Sequence, residues 1–150
     1  MPRARRIPKC ELRPEWLQRP ERAEVILDLP LCPATNNLYL NRPGIGRVKS
    51  PAYRSWIESA GLYGKIQRPG RMVGLADLTV HLCEFRGDTD GRVKALIDCA
   101  RAIGVIADDG GRYIRHVDIR RGEAPQGFVR LKFTRVGVEA CTAEAPEAVS

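Results

Sequence analysis

The carboxylates best suited to chemistry are concentrated in one stretch of a basic chain. In order along the chain, the residues of interest are Asp88, Asp90, Lys94, Asp98, Asp108 and Asp109. Carboxylate oxygens are the hard ligands that Mg²⁺ prefers, and bound Mg²⁺ usually keeps positions for water and phosphate oxygens. The formal net charge of +7 favours a polyanionic partner. The stretch therefore indicates a divalent metal acting on a phosphodiester, with a lysine that offsets transition-state charge.

The spacing of these residues predicts how they are positioned. Asp88 and Asp90 are two residues apart, so on an extended segment their side chains point the same way. From Asp90 onward apolar residues recur at helical spacing, and Gly104 is a plausible C-terminal stop. Asp90 is then the expected N-cap, and Lys94 lies one turn later on the same flank as Asp98. The loop at Asp108-Asp109 is expected to return to this helix.

Structural explanations compete with this one. Asp-x-Asp-Gly is common in turns, because Asp caps helices and Gly adopts positive φ. Lys94 and Asp98 also fit an ordinary surface ion pair. An EF-hand is excluded, because its fifth, sixth and twelfth positions would be Arg92, Val93 and Cys99. The metal hypothesis is favoured by Asp108-Asp109, since adjacent like charges are usually separated unless a cation neutralises them.

Composition limits the class of protein. A chain of 150 residues with 43% hydrophobic content is large enough for one domain with its own core. It contains no apolar run of membrane-spanning length and no signal-peptide pattern. Its five cysteines include no C-x-x-C pair, which argues against a zinc site or a disulfide framework and favours a reducing cytoplasm.

Periodicity predicts the elements that carry the site. Residues 1–22 are rich in Arg and Pro and are expected to form a flexible basic arm, 23–136 the folded domain, and 137–150 a disordered acidic tail. Strands are predicted over 24–29, around 78–82, around 117–119 and over 129–133, and Ser50-Pro51 is expected to open a helix. Strands interleaved with two main helices predict an α+β domain with a mixed sheet.

The chain resembles the RusA-type Holliday-junction resolvases between about Val25 and Thr134. The resemblance begins at Leu29-Pro30 and includes Pro33, Asn36-Asn37 and Tyr39, then Ala52-Tyr53-Arg54. The closest match is Asp88-x-Asp90-x-x-x-Lys94-x-x-x-Asp98 followed by Gly104-Val-Ile-Ala-Asp108-Asp109. Gly91 replaces the Asn that the family usually has after its second Asp. The segment from Gly110 to Ile114 also looks longer than the family's turn.

The resemblance implies an endodeoxyribonuclease that cuts four-way DNA junctions symmetrically in recombination and repair. Asp88, Asp90 and Asp109 would bind Mg²⁺ (or Mn²⁺ as a substitute) with Asp108 and Asp98 nearby, and Lys94 would be the functional lysine. The family works as a homodimer, which suits a two-fold symmetric substrate. A phage or prophage origin, action in the host cytoplasm, and no organic cofactor or membrane partner are expected.

Several residues besides the carboxylates and Lys94 are candidates for DNA contact. Lys49, Arg54 and Arg92 are suggested by their charge, while Asn36 and Tyr39 would either contact DNA or shape a loop. Two other functions fit the same residues. One is a non-catalytic DNA-binding protein, in which the carboxylates are caps and ion pairs, and the other is a nuclease for other branched DNA.

Overall fold

A computed structural model describes residues 6–34, 37–85, 87 and 89–137 of the chain. The candidate residues Asn36 and Asp88 lie outside this part, as do residues 138–150 of the predicted acidic tail. Within the described ranges, no helix has both the length and the apolar character needed to cross a bilayer.

The described residues form one short 3₁₀ helix, three α-helices and six strands. The 3₁₀ helix is Lys9–Leu12, and the α-helices are α1 (Pro14–Leu17), α2 (Pro51–Ile66) and α3 (Asp90–Ile103). The strands are β1 (Glu24–Pro30), β2 (Tyr39–Arg42), β3 (Gly46–Lys49), β4 (Ala76–Leu82), β5 (Ile114–Arg121) and β6 (Phe128–Arg135).

Four strands make a mixed sheet in the order β1-β6-β4-β5. The β1–β6 and β4–β6 pairs are antiparallel, whereas β4 and β5 are parallel. Helix α3 is the crossover between these parallel strands, so the acidic residues at its two ends lie between β4 and β5 in the chain. The structure confirms the predicted α+β domain with a mixed sheet and two main helices.

The core lies between the sheet and the pair of long helices. Alternate residues of β4 are buried, as a strand with one face in the core requires. Helix α2 starts where Ser50-Pro51 predicted, and the Ser50 hydroxyl accepts a 3.1 Å hydrogen bond from the Tyr53 N–H. Gly64 allows close packing, because a Cβ there would lie 2.3 Å from Cδ1 of Ile103 in α3. This contact fixes α3 against the rest of the core.

Strands β2 and β3 form a separate antiparallel hairpin that the sequence analysis did not predict. Both strands have only four residues and are largely exposed, so neither shows the buried-exposed alternation that marks a strand. The turn at residues 43–45 joins them, and Gly44 in this turn and Gly46 at the start of β3 both have positive φ. These two closely spaced glycines were the sequence feature that could have indicated a hairpin.

Part of the predicted flexible arm, within residues 6–22, is helical. Residues 9–17 form two short helices, and Trp16 is buried against Ala107 and Tyr113. The Cys10 sulfur lies 3.1 Å from the Tyr113 hydroxyl. Burial of an indole favours docking of the segment, although its composition is rich in Arg and Pro.

Candidate active site

The flank of α3 presents alternating charges beside its buried face. Lys94, Asp98 and Arg101 follow at helical spacing, so they share one side of the helix. The helix forms because Val93, Leu96 and other apolar residues repeat toward the core. It ends at Gly104, whose φ of 102° is left-handed, as predicted for a C-terminal glycine.

The chain after Gly104 returns to this flank because its next residues are pulled into the core. Val105, Ile106 and Ala107 are buried, and the Val105 carbonyl accepts a 2.7 Å hydrogen bond from the Met72 N–H. Asp108 and Asp109 follow directly and are partly exposed. The structure therefore brings the predicted second pair of carboxylates back to α3.

Three carboxylates lie around the Arg101 side chain, and we call them the acidic cluster: Asp98, Asp108 and Asp109. The Arg101 guanidinium lies 3.8 Å from Asp98 Oδ1, 3.3 Å from Asp108 Oδ1 and 3.8 Å from Asp109 Oδ1. Lys94 Nζ lies 4.0 Å from Asp109 Oδ2. Asp98 thus pairs with Arg101, and Lys94 with the returning loop. Sequence reasoning missed Arg101, although its position one turn after Asp98 was an available signal.

Hydrogen bonds favour the ionised form of Asp108. Its Oδ1 accepts a 2.9 Å bond from the Asp109 N–H, and this bond is the main cause that lowers the pKa of Asp108 below its ordinary value. Contacts with the Asp109 side chain and with Arg101 act in the same direction, while partial burial opposes them. Asp108 therefore carries a negative charge at neutral pH.

Asp90 occupies the opposite end of the same flank. It is the first residue of α3 and is exposed, while Thr89 takes the N-cap position without a side-chain cap bond. The prediction of Asp90 as N-cap was therefore displaced by one residue. A carboxylate in the first turn is stabilised by the helix dipole, and Lys94 follows one turn later. Asp90 and Asp109 thus lie on either side of Lys94.

The loop that leads to α3 is held by stacking on Phe85. The guanidinium groups of Arg92 and Arg121 lie 4.1 Å and 4.2 Å from the centre of its ring. Arg121 also donates a hydrogen bond to the Phe85 carbonyl. Arg92 is only 7% exposed, so it packs inside the protein and is not presented to solvent as the predicted phosphate contact would require.

A groove with a volume of about 580 Å³ runs between α2, α3 and the base of the hairpin. Tyr39 and Lys49 line one side, and Asp98 and Arg101 line the other. Burial, followed by the proximity of Tyr39 and Asp98, raises the pKa of Tyr53 to about 12. Two of the predicted DNA contacts, Tyr39 and Lys49, therefore share a groove with the acidic cluster.

The remaining predicted contact, Arg54, is exposed on α2. It follows the buried Tyr53 and is not among the residues that line the groove. Its side chain is accessible to a ligand that crosses the N-terminal end of α2.

The donor set has the chemistry that Mg²⁺ prefers, since its charged ligands would all be carboxylates. Among the residues that the structure describes, however, no three His, Cys, Asp or Glu side chains converge closely enough to hold a metal ion. Asp88 is not among these residues. The described part thus supplies Asp90 and the Asp108-Asp109 pair as separate donors on either side of Lys94.

Comparison with protein-family models and with curated proteins gives no match to this chain. The resemblance to RusA-type resolvases therefore depends on the motifs and their spacing.

Proposed function

We propose that this protein is a Mg²⁺-dependent endonuclease of branched DNA that cuts four-way junctions. The observation that carries the proposal is the placement of Lys94 and Arg101 against Asp108 and Asp109, on the helix that begins with Asp90. The motif resemblance supports the same conclusion. A homodimer with two such sites would suit paired cuts in a two-fold symmetric junction.

Each charged side chain has a role in this proposal. Asp90 and Asp109, with Asp88 and Asp108, would bind the metal, which when bound polarises the phosphoryl oxygen and lowers the pKa of a water. Lys94 is 72% exposed at its side chain, so its ammonium group can approach the scissile phosphate and offset transition-state charge. Arg101 holds Asp108 and Asp109 in place through their Oδ1 atoms.

The second candidate function is DNA binding without catalysis. It is favoured by the ion pairs themselves, because Arg101 and Lys94 already compensate part of the charge of the acidic cluster. In that case the carboxylates stabilise the loop after α3 and take no part in chemistry. DNA binding would then fall with salt as phosphate contacts require, without metal-dependent strand scission.

The test is cleavage of a labelled four-way junction and a matched linear duplex, with Mg²⁺ or with chelator. We expect paired nicks in the junction alone, abolished by chelator and by Asp90→Asn, while junction binding is retained. The control is Asp118→Asn, which makes the same change where Asp118 pairs with Arg120 at 3.0 Å on the sheet face opposite the helices. Wild-type cutting by Asp90→Asn would refute the proposal, and binding without any cleavage would favour the second candidate.

A further inference from the structure

The β2–β3 hairpin lies in a segment of one charge sign. No Asp or Glu occurs between Asp28 and Glu58, whereas Arg42, Arg47 and Lys49 lie in the two strands of the hairpin. All three cations are exposed. Such a segment raises the local positive potential without any internal compensation.

The hairpin cations differ from arginines on the sheet that are paired with carboxylates. On the sheet, Arg115 lies 2.7 Å from Asp77 and Arg130 lies 2.8 Å from Asp28. Across the described ranges, by contrast, no carboxylate lies within ion-pair distance of the three hairpin cations. Their positive charge is therefore available to an external anion.

Register divides the hairpin side chains between two faces. Directly opposed residues share a face and successive residues alternate. The pairs Tyr39–Lys49 and Asn41–Arg47 therefore lie on one face, which we call the groove face. Leu40–Val48 and Arg42–Gly46 lie on the other, the outer face. Because Tyr39 and Lys49 line the groove that holds Asp98 and Arg101, the groove face continues toward the acidic cluster.

The groove face is also fixed in orientation. The Arg47 guanidinium lies 4.2 Å from the centre of the Tyr39 ring, and this ring packs edge-on against Tyr53 of α2 with centroids 5.6 Å apart. At the base of the hairpin, the Ser50 N–H donates a 2.8 Å hydrogen bond to the Leu38 carbonyl. The cation is therefore held in place before any ligand arrives, which reduces the entropy lost on binding.

We propose that the hairpin is a DNA-binding ribbon whose groove face holds the phosphate backbone of the strand that enters the acidic cluster. Arg47 and Lys49 would contact successive phosphates, and the narrow Gly44-Ile45-Gly46 tip would follow the groove of the adjoining duplex arm. A two-stranded ribbon has the width that the major groove accepts. The proposal rests on the proposed function, because it assumes that DNA is the substrate.

The experiment compares cations on the two faces of one hairpin. Binding of a labelled four-way junction is measured in chelator across a range of salt concentrations for wild type, Arg47→Ala, Arg47→Ala with Lys49→Ala, and Arg42→Ala. Arg42 is the matched control, because it is an exposed arginine on the outer face. Arg47→Lys keeps the charge and tests whether charge alone is sufficient. Equal unfolding midpoints establish that each variant is folded.

Each lost phosphate contact should reduce the magnitude of the negative slope of log K against log salt by about 0.9, so near 0.1 M salt the double variant should bind roughly 10- to 60-fold more weakly. Arg42→Ala should stay within about twofold of wild type, and Arg47→Lys should retain most of the affinity. Equal losses for Arg42→Ala and Arg47→Ala would overturn the face assignment. Unchanged binding by the double variant, with a wild type that cuts junctions, would overturn the ribbon and leave the nuclease intact. A wild type that neither binds nor cuts junctions would refute both.

Discussion

Substitution of Gly104 tests whether the N-terminal helix is docked on the end of α3. Gly104 has a φ of +102°, so Ala there adopts a left-handed conformation that costs about 1–2 kcal/mol. A Cβ would also lie 2.2 Å from the Glu15 carbonyl oxygen and 2.9 Å from the Trp16 nitrogen. Both are backbone atoms of α1, which cannot rotate away as a side chain could. Helix α1 must therefore shift.

The magnitude follows from what that shift exposes. Complete loss of a buried Trp side chain costs about 3–5 kcal/mol, and a displacement that uncovers part of Trp16 costs about 1–2 kcal/mol. Added to the backbone strain, this gives a loss of about 3 kcal/mol in the free energy of unfolding for Gly104→Ala. Gly74→Ala is the matched control, because Gly74 has a φ of +82° with no atom within 4 Å of its Cβ position. It should lose only the strain, about 1–2 kcal/mol.

Urea denaturation followed by tryptophan fluorescence measures both variants. With an m-value of about 2 kcal/mol/M, the midpoint should fall by about 1.5 M for Gly104→Ala and by about 0.5–1 M for Gly74→Ala. Equal losses within about 0.5 kcal/mol would refute the reasoning. In that case α1 would not be packed on Gly104, and the N-terminal segment would be the flexible arm that its composition predicts.

Two further predictions follow from the pKa shifts. Burial raises the pKa of the Cys32 and Cys99 thiols to about 12. A thiol reagent at pH 8 should therefore leave both cysteines unmodified in the folded protein and modify both in urea, as mass mapping of the labelled sites can check. Rapid labelling of either cysteine in the folded protein would contradict this prediction. Because its pKa is lowered on folding, Asp108 stabilises the folded state at pH values above the ordinary pKa of an aspartate, about 3.9. This stabilisation disappears as the pH falls through the pKa of Asp108 in the folded state. The difference in unfolding free energy between wild type and Asp108→Asn should therefore be constant from pH 7 to 5 and should shrink when the pH falls under about 4. The difference should be less than about 1 kcal/mol, because the pair with Arg101 is partly exposed. An increase of the difference in acid would contradict the assignment.

The elements that the sequence predicted are those whose signal is local and periodic. Helix α3 has apolar residues at helical spacing and a glycine stop, and β4 alternates between buried and half-buried residues. The return of Asp108-Asp109 to Lys94 could be anticipated for the same reason. The apolar run directly after α3 must be buried beside that helix, so the two aspartates that follow it are placed near the helix flank.

The features that sequence reasoning missed depend on contacts between distant residues. Trp16 is buried by Ala107 and Tyr113, and nothing in the Arg- and Pro-rich composition around it indicates these partners. Arg92 has the charge of a phosphate contact, but stacking on Phe85 accounts for its burial. In both cases the environment of the side chain is decided by tertiary packing, on which local composition carries little information.

Under the proposed function, the geometry at Asp109 would allow one carboxylate to serve both structure and chemistry. Arg101 approaches Oδ1 of Asp108 and Oδ1 of Asp109, whereas Lys94 lies on the side of Asp109 Oδ2 at 4.0 Å, beyond hydrogen-bonding distance. Arg101 can therefore fix the orientation of this carboxylate through one oxygen while the other remains directed toward Lys94 and the Asp90 end of the flank. Two cations beside three carboxylates still leave the cluster negative in a basic protein. A divalent cation would thus be attracted to the Asp90 end of the flank, which Arg101 does not occupy. The Arg101 side chain, which positions the loop, would not need to be displaced.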